Sequence, residues 1–375
     1  VEVALLTKAA GVLVVNAGSS SLKLRLLSPT DEVVLTADLS ATHGRFDGKE
    51  VDDALSSLGT VDAVGHRIVH GGTFFTGPVL IDGDVRRRLE SLASLAPLHQ
   101  PPALAALDVV SVALPHVPEI ACFDTAFHAS IPPAAATYAI PEEWRRSHAI
   151  RRYGFHGLSH AYAARRAAEM LDRASQDLRI VTCHLGAGAS LAAVRGGVSI
   201  DTTMGFTPLE GLVMATRSGT IDPGIIPWLE QNAGLAVEEV ADALERRSGV
   251  AGLAGTSDMR QVIESADAGD PDARLAVDVY VHRLGGSVAA MVASLGGLDV
   301  LVFTGRVGER AAAIRDRAVK ALRWLGAELN PERNRAVEGD ADVGTPGAAV
   351  RILVIESRED LEIARQVREV LAGGP

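Results

Sequence analysis

The chain has 375 residues, 47% of them hydrophobic and 22% charged, a globular composition at odds with wholesale disorder and a length beyond one hydrophobic core, so two domains are expected. A formal net charge of −11 disfavours a nucleic-acid partner, which demands a basic surface, and leaves any anionic ligand to be met by local arginines. Cys122 and Cys183 sit in apolar runs without C-x-x-C spacing, which argues against a disulfide or zinc site and for buried thiols in a cytoplasmic protein.

Residues 1–15 lack the basic start, long apolar core and small-residue cleavage site of a secretory signal, and are expected to lead into the first strand. Gly11 to Val15 reads as a buried strand, Asn16-Ala17-Gly18-Ser19-Ser20-Ser21 as a turn, and Leu22 to Leu26 as an alternating second strand. A glycine at such a hairpin tip lets backbone N–H groups approach an anion, with the hydroxyls and Lys23 completing its coordination, although one such turn by itself reads first as an ordinary hairpin. Gly65-His66-Arg67 places a guanidinium fork beside a turn, which read alone is also a surface arginine, and Phe123-Asp124 ends an apolar stretch on a carboxylate, either a cap or turn aspartate or a strand-end metal ligand or base. Pro132-Pro133, Pro141 and the basic run Arg145 to Arg152 mark a boundary near residue 150.

Tyr153-Gly154-Phe155-His156-Gly157-Leu158-Ser159-His160 carries two histidines at helical spacing, but without the glutamate of H-E-x-x-H and with Gly157 between them. A histidine in that glycine setting suits hydrogen bonding to developing negative charge better than zinc. The glycine hairpin then returns: Ile180 to Leu185 leads to Gly186-Ala187-Gly188, then to Leu191 to Val194, which implies a duplicated architecture. Met214-Ala215-Thr216-Arg217-Ser218-Gly219 offers a second arginine between an apolar segment and a glycine. Leu284 to Phe303 superficially resembles a membrane span, but Gly296 and Gly297 break it and Asp299 charges it, so a buried helix followed by a strand is expected. Val300 to Glu309 runs from a strand through Thr304-Gly305-Arg306 toward a helix near Arg310. Val350 to Ile355 reads as a strand, after which Ser357-x-x-Asp360 forms a capping box for a helix with Leu361, Ala364 and Val367 on one face. Glu359 lies in that helix's first turn, favourable to its dipole and also placed to reach Mg²⁺.

Neither G-x-x-x-x-G-K-[ST] nor a strand-to-helix G-x-G-x-x-G occurs, so any phosphate grip is of another kind than a P-loop or a dinucleotide fold. Strands mixed with helices favour two α/β domains with mixed sheets and a cleft between them.

Taken together and in order, Asn16 to Lys23, Gly65-His66-Arg67, Leu98-His99, Phe123 to His128, Gly154 to Gly157 and Thr216 to Gly219 resemble the acetate kinase family, from about Val12 to Leu371. The resemblance implies two actin-like (ribonuclease H-like) domains with mixed sheets and a central cleft. The first spans 12–150, with a C-terminal helix 360–375 packing back on it; the second, nucleotide-binding, spans 151–359. It implies reversible Mg²⁺-dependent phosphoryl transfer from ATP to acetate, giving acetyl phosphate and ADP, with Mn²⁺ as an alternative metal and a homodimer as the assembly. By the same resemblance, Asp124, His156 and Arg217 are catalytic, and Arg67 and Arg217 hold the carboxylate and the transferring phosphoryl group. Val69, Leu98, Phe155 and Pro208 line the acyl pocket, with His99 and His160 in support, and Asn16 and Glu359 face the metal. Ser19, Ser21, Lys23, His184, Leu185, Gly186, Ala187, Gly188, Asp258, Met259, Arg260, Arg306, Val307, Gly308, Glu309 and Arg310 match nucleotide segments. Departures concentrate there: Ala187 and Arg310 replace asparagines and Arg306 a glycine, and Arg306 would narrow or stack on the base, or favour pyrophosphate. Further departures are Gln100, Leu158, Ala215, Thr220 and Arg358. Propionate kinase, a pyrophosphate-dependent enzyme of the same fold, and a catalytically silent nucleotide-binding regulator are the alternatives.

Overall fold

The computed structural model describes residues 11–18, 21–40, 46, 48–57, 60–97 and 99–373. They gather into two compact units. The first holds the described residues up to Ala129, then Phe155–Tyr162 and the chain from Arg358; the second holds Ser130–Gly154 and Ala163–Ser357. The sequence reading divides the chain at residue 150 and returns helix 360–375 to the first domain. Residues 130–154 instead join the second unit, where the Arg152 N–H donates to the Ala136 carbonyl and the Tyr153 N–H to the Gly205 carbonyl.

The first unit is built on β1 (Val12–Ala17), β2 (Ser21–Leu27), β3 (Val33–Ser40), β4 (Ala63–Ile68), β5 (Val79–Leu80) and β6 (Glu119–Phe123), in the sheet order β3-β2-β1-β4-β6-β5. The glycine hairpin expected at Asn16 to Ser21 is present, with β1 antiparallel to β2 and Asn16 opposite Lys23. β1, β4 and β6 are parallel and nearly wholly buried, apolar except for Asn16, His66, Arg67 and Glu119, whereas the edge strand β3 is largely exposed. On one face Leu13, Val15, Leu22 and Leu24 meet Val51 and Leu55 of helix Gly48–Ser57 and Ala106 and Val110 of helix Gln100–Ala113. On the other, Val12, Val14, Ile120 and Cys122 meet Ile363, Ala364 and Val367 of the C-terminal helix Glu359–Leu371. That helix crosses so near β4 that a Cβ on Gly65 would lie 2.4 Å from the Ile363 Cγ2, which is why a glycine stands there.

The second unit repeats the plan with β7 (Arg179–Leu185), β8 (Ala189–Arg195), β9 (Val198–Thr202), β10 (Val300–Thr304), β11 (Ala341–Asp342) and β12 (Arg351–Val354), in the order β11-β12-β10-β7-β8-β9. β7 is antiparallel to β8 and parallel to β10, which is parallel to β12. Each strand takes the place of the one six earlier. This is the duplication that the two glycine hairpins announce. Helix Pro271–Leu295 is long and apolar enough to span a membrane, yet half of it is buried, against β7, β8 and β9 among other elements. It ends on Gly296 at φ +70° before β10 begins.

The expected capping box at Ser357 is not formed. Arg358 is the N-cap of the last helix and makes no side-chain cap bond. The Ser357 N–H is taken by the Glu309 carboxylate at 2.9 Å, and Asp360 accepts instead from the Arg358 and Arg25 guanidinium groups.

Candidate active site

In the first unit the carboxyl ends of the parallel strands gather three polar side chains, the edge at which open α/β sheets hold ligands. Asn16 is the penultimate residue of β1, Arg67 of β4, and Asp124 follows β6 directly. The ladder pairs Val15 with His66 and Arg67 with Cys122, so the three stand side by side. Arg67 grips the Asp124 carboxylate with both edges of its fork, Nη2 to Oδ2 at 2.6 Å and Nε to Oδ1 at 3.3 Å, and donates from Nη1 to the Asn16 Oδ1 at 3.2 Å. Glu359, the first residue of the C-terminal helix, brings a second carboxylate to 3.9 Å from Nε. Asp124 is 1% exposed against 20% for Arg67. Burial is the largest influence on Asp124 and raises its pKa; Arg67 opposes the rise and Glu359 adds to it. Burial also works against the charge on Arg67, but the two carboxylates outweigh it and hold the guanidinium above its ordinary value.

His156 joins this cluster through its backbone. It has φ +56°, a left-handed conformation uncommon outside glycine, and both its neighbours are fixed. The Phe155 carbonyl lies 3.1 Å from the His128 Nε2, and the Gly157 N–H donates to the Asp124 carbonyl at 2.8 Å. A Cβ on Gly157 would fall 2.1 Å from that carbonyl oxygen. The buried Phe155 ring sits edge-on to His70 at 5.5 Å, and His128 edge-on to His160 at 5.6 Å. Burial lowers the pKa of His70 and of His128 to about 4. Val69 is half-buried beside His70, and His99 caps helix Gln100–Ala113, whose Gln100 amide nitrogen points at the His70 and Leu89 carbonyls. Lys23 is exposed on β2 across from Asn16, and Ser21 is half-buried at the start of that strand. Ser19 and Leu98 lie outside the described residues.

In the second unit His184 and Leu185 end β7, and the Gly186 N–H closes the turn on the Gly188 carbonyl at 2.9 Å. Ala187 is exposed at its tip, and its carbonyl accepts from the Ala215 N–H at 3.0 Å, tying the turn to the Arg217 loop. Gly305, at φ +74°, opens helix Gly305–Arg310 hard against Leu185: an added Cβ would meet the Leu185 carbonyl oxygen at 2.9 Å. Arg306 is exposed, Val307 half-buried and Gly308 buried. Glu309 and Arg310 line a cavity of about 290 Å³ with Arg315, Asn334 and Glu356. Among the described residues Arg315, 1% exposed, donates to neutral oxygens, including the Gly308 and Glu309 carbonyls, and burial lowers its pKa to about 10. Asp258 caps helix Met259–Asp267 by accepting from the Arg260 N–H; Met259 is buried and Arg260 exposed. The Arg217 Nη1 donates to the Pro208 carbonyl at 3.3 Å. The Pro208 segment is itself fastened by Arg152, which donates to the Thr203 and Met204 carbonyls and to Glu210, which also accepts from the Tyr138 hydroxyl.

This fastening was not legible in the sequence, where Arg152 reads as part of a basic boundary. Sequence reasoning also missed Arg315, His70 and His128. Only the F-H-G sequence hinted at the close approach of Gly157.

The description of the family whose model matches is the acetokinase family, over residues 45–365. An acetate kinase of Leifsonia xyli is 45% identical over 394 residues, covering 97% of this chain and 99% of that protein. An acetate kinase of Methanosarcina thermophila is 40% identical, covering 96% and 97%. Among solved structures, an acetate kinase of Porphyromonas gingivalis matches with a TM-score of 0.90 at 34% identity, covering 97% of this chain and all of the other. A propionate kinase of Francisella tularensis matches at 0.89 and 36%, covering 96% and 99%. With its duplicated mixed sheets and a family match over most of its length, the chain belongs to the acetokinase family.

Proposed function

We propose that this chain is an acetate kinase, transferring a phosphoryl group reversibly between ATP and acetate to give ADP and acetyl phosphate. The observation that carries the reading is the fork-to-fork contact of Arg67 with the buried Asp124, beside Asn16 and Glu359 at the carboxyl ends of β1, β4 and β6. Phosphoryl transfer needs positioning and spread positive charge more than covalent protein chemistry. Acetate is already ionised at neutral pH, so no strong base is required for direct in-line attack. Arg67 and Arg217 serve as charge clamps, His156 donates a hydrogen bond to an equatorial phosphoryl oxygen, and Asp124 fixes Arg67 and orients the substrate. Val69, Phe155 and Pro208 face the methyl group.

The donors fit Mg²⁺, which prefers a few hard oxygens and keeps water and phosphate oxygens as further ligands. Glu359 accepts no hydrogen bond among the described residues, and the Asn16 Oδ1 accepts one, from Arg67. These two would hold the ion, which supplies neutralisation of phosphate charge when bound; Mn²⁺ suits the same donors. The glycine turn at Gly186–Gly188 and the Gly305–Arg310 segment take the nucleotide. The assembly is a homodimer, for which Ile225, Trp228 and Val237, 42, 59 and 46% exposed, offer an apolar face. Light scattering would count against it by showing a monomer. The buried free thiols Cys122 and Cys183 suit the cytoplasm.

Hydroxylamine trapping of acyl phosphate tests the function, with ATP, Mg²⁺ and acetate as the main arm and propionate, GTP and pyrophosphate as comparisons. Acetyl hydroxamate formed with ATP is the expected result. No hydroxamate from any pairing at high enzyme concentration would sink the reading.

A further inference from the structure

The loop that carries Arg217 is gripped by the chain from Leu244 to Ala251. The Ser218 N–H donates to the Leu244 carbonyl at 3.0 Å, and the Ser248, Val250 and Ala251 N–H groups donate to the Thr216, Met214 and Ala215 carbonyls at 2.9 Å each. Gly249, at φ +63°, fits where a Cβ would lie 2.2 Å from the Met214 carbonyl oxygen and 2.6 Å from that of Arg217. These bonds fix the backbone of the loop. They do not aim the long Arg217 side chain.

That is done from helix Val237–Arg246. In its last turn Glu245 places its Oε1 3.1 Å from the Arg217 Nε, while the Pro208 carbonyl takes Nη1 at 3.3 Å and the Met214 sulfur lies 3.8 Å away. Glu245 is anchored in turn, since its own carbonyl accepts from the Thr216 hydroxyl at 3.1 Å. Nη2 makes no hydrogen bond among the described residues, so one face of the fork is held and the other is left for an anion. An arginine loses less freedom per bond when its planar fork is pre-aimed.

We propose that Glu245 is the positioning residue that aims Arg217 at the anion, an assignment that rests on Arg217 being a clamp in the proposed kinase reaction. Its action is through geometry rather than charge: a carboxylate so near the guanidinium weakens its pull on an anion but fixes its rotamer. A glutamine, keeping an oxygen acceptor at the same reach, therefore preserves the aim. An alanine does not.

The test measures kcat and KM by hydroxamate trapping, with thermal melting, for the full-length wild type, E245Q, E245A, R217A and the double variant R217A/E245A. E245A is expected to lower kcat about 10- to 100-fold, the scale of an ångström of misplacement, with an unchanged melting temperature. E245Q should stay within about threefold of wild type, and E245A should add no further loss in the R217A background, as expected of two residues acting as one unit. An E245A enzyme within twofold of wild type, or one whose full loss persists on top of R217A, overturns the assignment alone. A wild type that forms no acyl phosphate overturns the kinase reading and this assignment with it.

Discussion

Replacing Gly157 by alanine tests whether Asp124 and His156 are set by one contact. The added Cβ would sit 2.1 Å from the Asp124 carbonyl oxygen and 2.9 Å from the Phe127 Cβ, against an ordinary contact of 3.4 Å or more. One side must yield by more than an ångström. Asp124 is held twice, by its N–H to the Ile68 carbonyl at 3.0 Å and by the Arg67 fork, so the segment around Gly157 gives way and takes His156 with it. Overpacking of this kind costs about 1–3 kcal/mol, and losing the Gly157 N–H bond to Asp124 adds about 1 kcal/mol. Urea unfolding should therefore show a loss of about 2–4 kcal/mol, on the same accounting. A displaced His156 should lower kcat by about 100-fold, with KM for acetate changed much less, because Arg67 does not move. If the variant unfolds at the wild-type urea midpoint and keeps kcat within twofold, then the segment is not pinned and the coupling of the two residues is wrong.

Asp124→Asn exchanges an acceptor for an amide that faces the Arg67 donors at 2.6 and 3.3 Å; kcat should fall by about 100-fold or more at saturating Mg²⁺ and acetate, and near-normal turnover would refute the role. His70 and His128, with pKa values near 4 in the fold, must take up protons on unfolding between about pH 6.5 and 4, so stability falls as pH falls through that window, by about 1.4 kcal/mol per unit for each. His128→Asn should flatten the slope of unfolding free energy against pH, measured in urea, and an unchanged slope would count against burial as its cause. Gly65→Ala drives a Cβ into Ile363 and Val367 and should cost about 1–3 kcal/mol, seen as a lower melting temperature; no change would mean the C-terminal helix is free to shift. Arg306→Gly removes an exposed guanidinium that makes no bond among the described residues, and should lower KM for ATP with kcat preserved; a raised KM would show that Arg306 assists the nucleotide.

What could be read along the chain was local. The strand-turn-strand units at Asn16 and Gly186 were legible because buried strands are apolar runs and glycine punctuates them. The Arg67–Asp124 contact joins residues 57 apart, and no periodicity reports a pairing made through strand order. The capping box at Ser357 failed because a motif specifies bonds only when nothing else competes for them, and Glu309, 48 residues away, takes the Ser357 N–H. Glu245 was invisible for a different reason. In an amphipathic helix with Glu238, Glu239 and Asp242 on view, one more acid reads as solvated surface.

The duplication adds a point that neither half carries by itself. The ladders align Asn16 with Lys23 and His184 with Ser190 across the two hairpins. Carried through the neighbouring parallel strands, the same registers set Arg67 in the place of Thr304 and Asp124 in that of Ser357. At equivalent points of one scaffold, then, the first unit presents a lysine, an arginine and an aspartate, and the second presents hydroxyls. Ser190 and Thr304 are fully buried, and the Thr304 hydroxyl has no hydrogen-bond partner among the described residues, a position that costs a neutral group far less than an unpaired charge. The first unit had to bring Arg67 and Asp124 as a pair in order to bury the carboxylate at all. A charged pair poised to reorganise around a carboxylate and phosphate suits the chemical step. A neutral scaffold edge with glycine turns, where the backbone itself approaches, suits holding a nucleotide by its N–H groups. In the proposed kinase reaction this contrast would give the charged edge a part in the chemical step and the hydroxyl-bearing edge a part in holding the nucleotide.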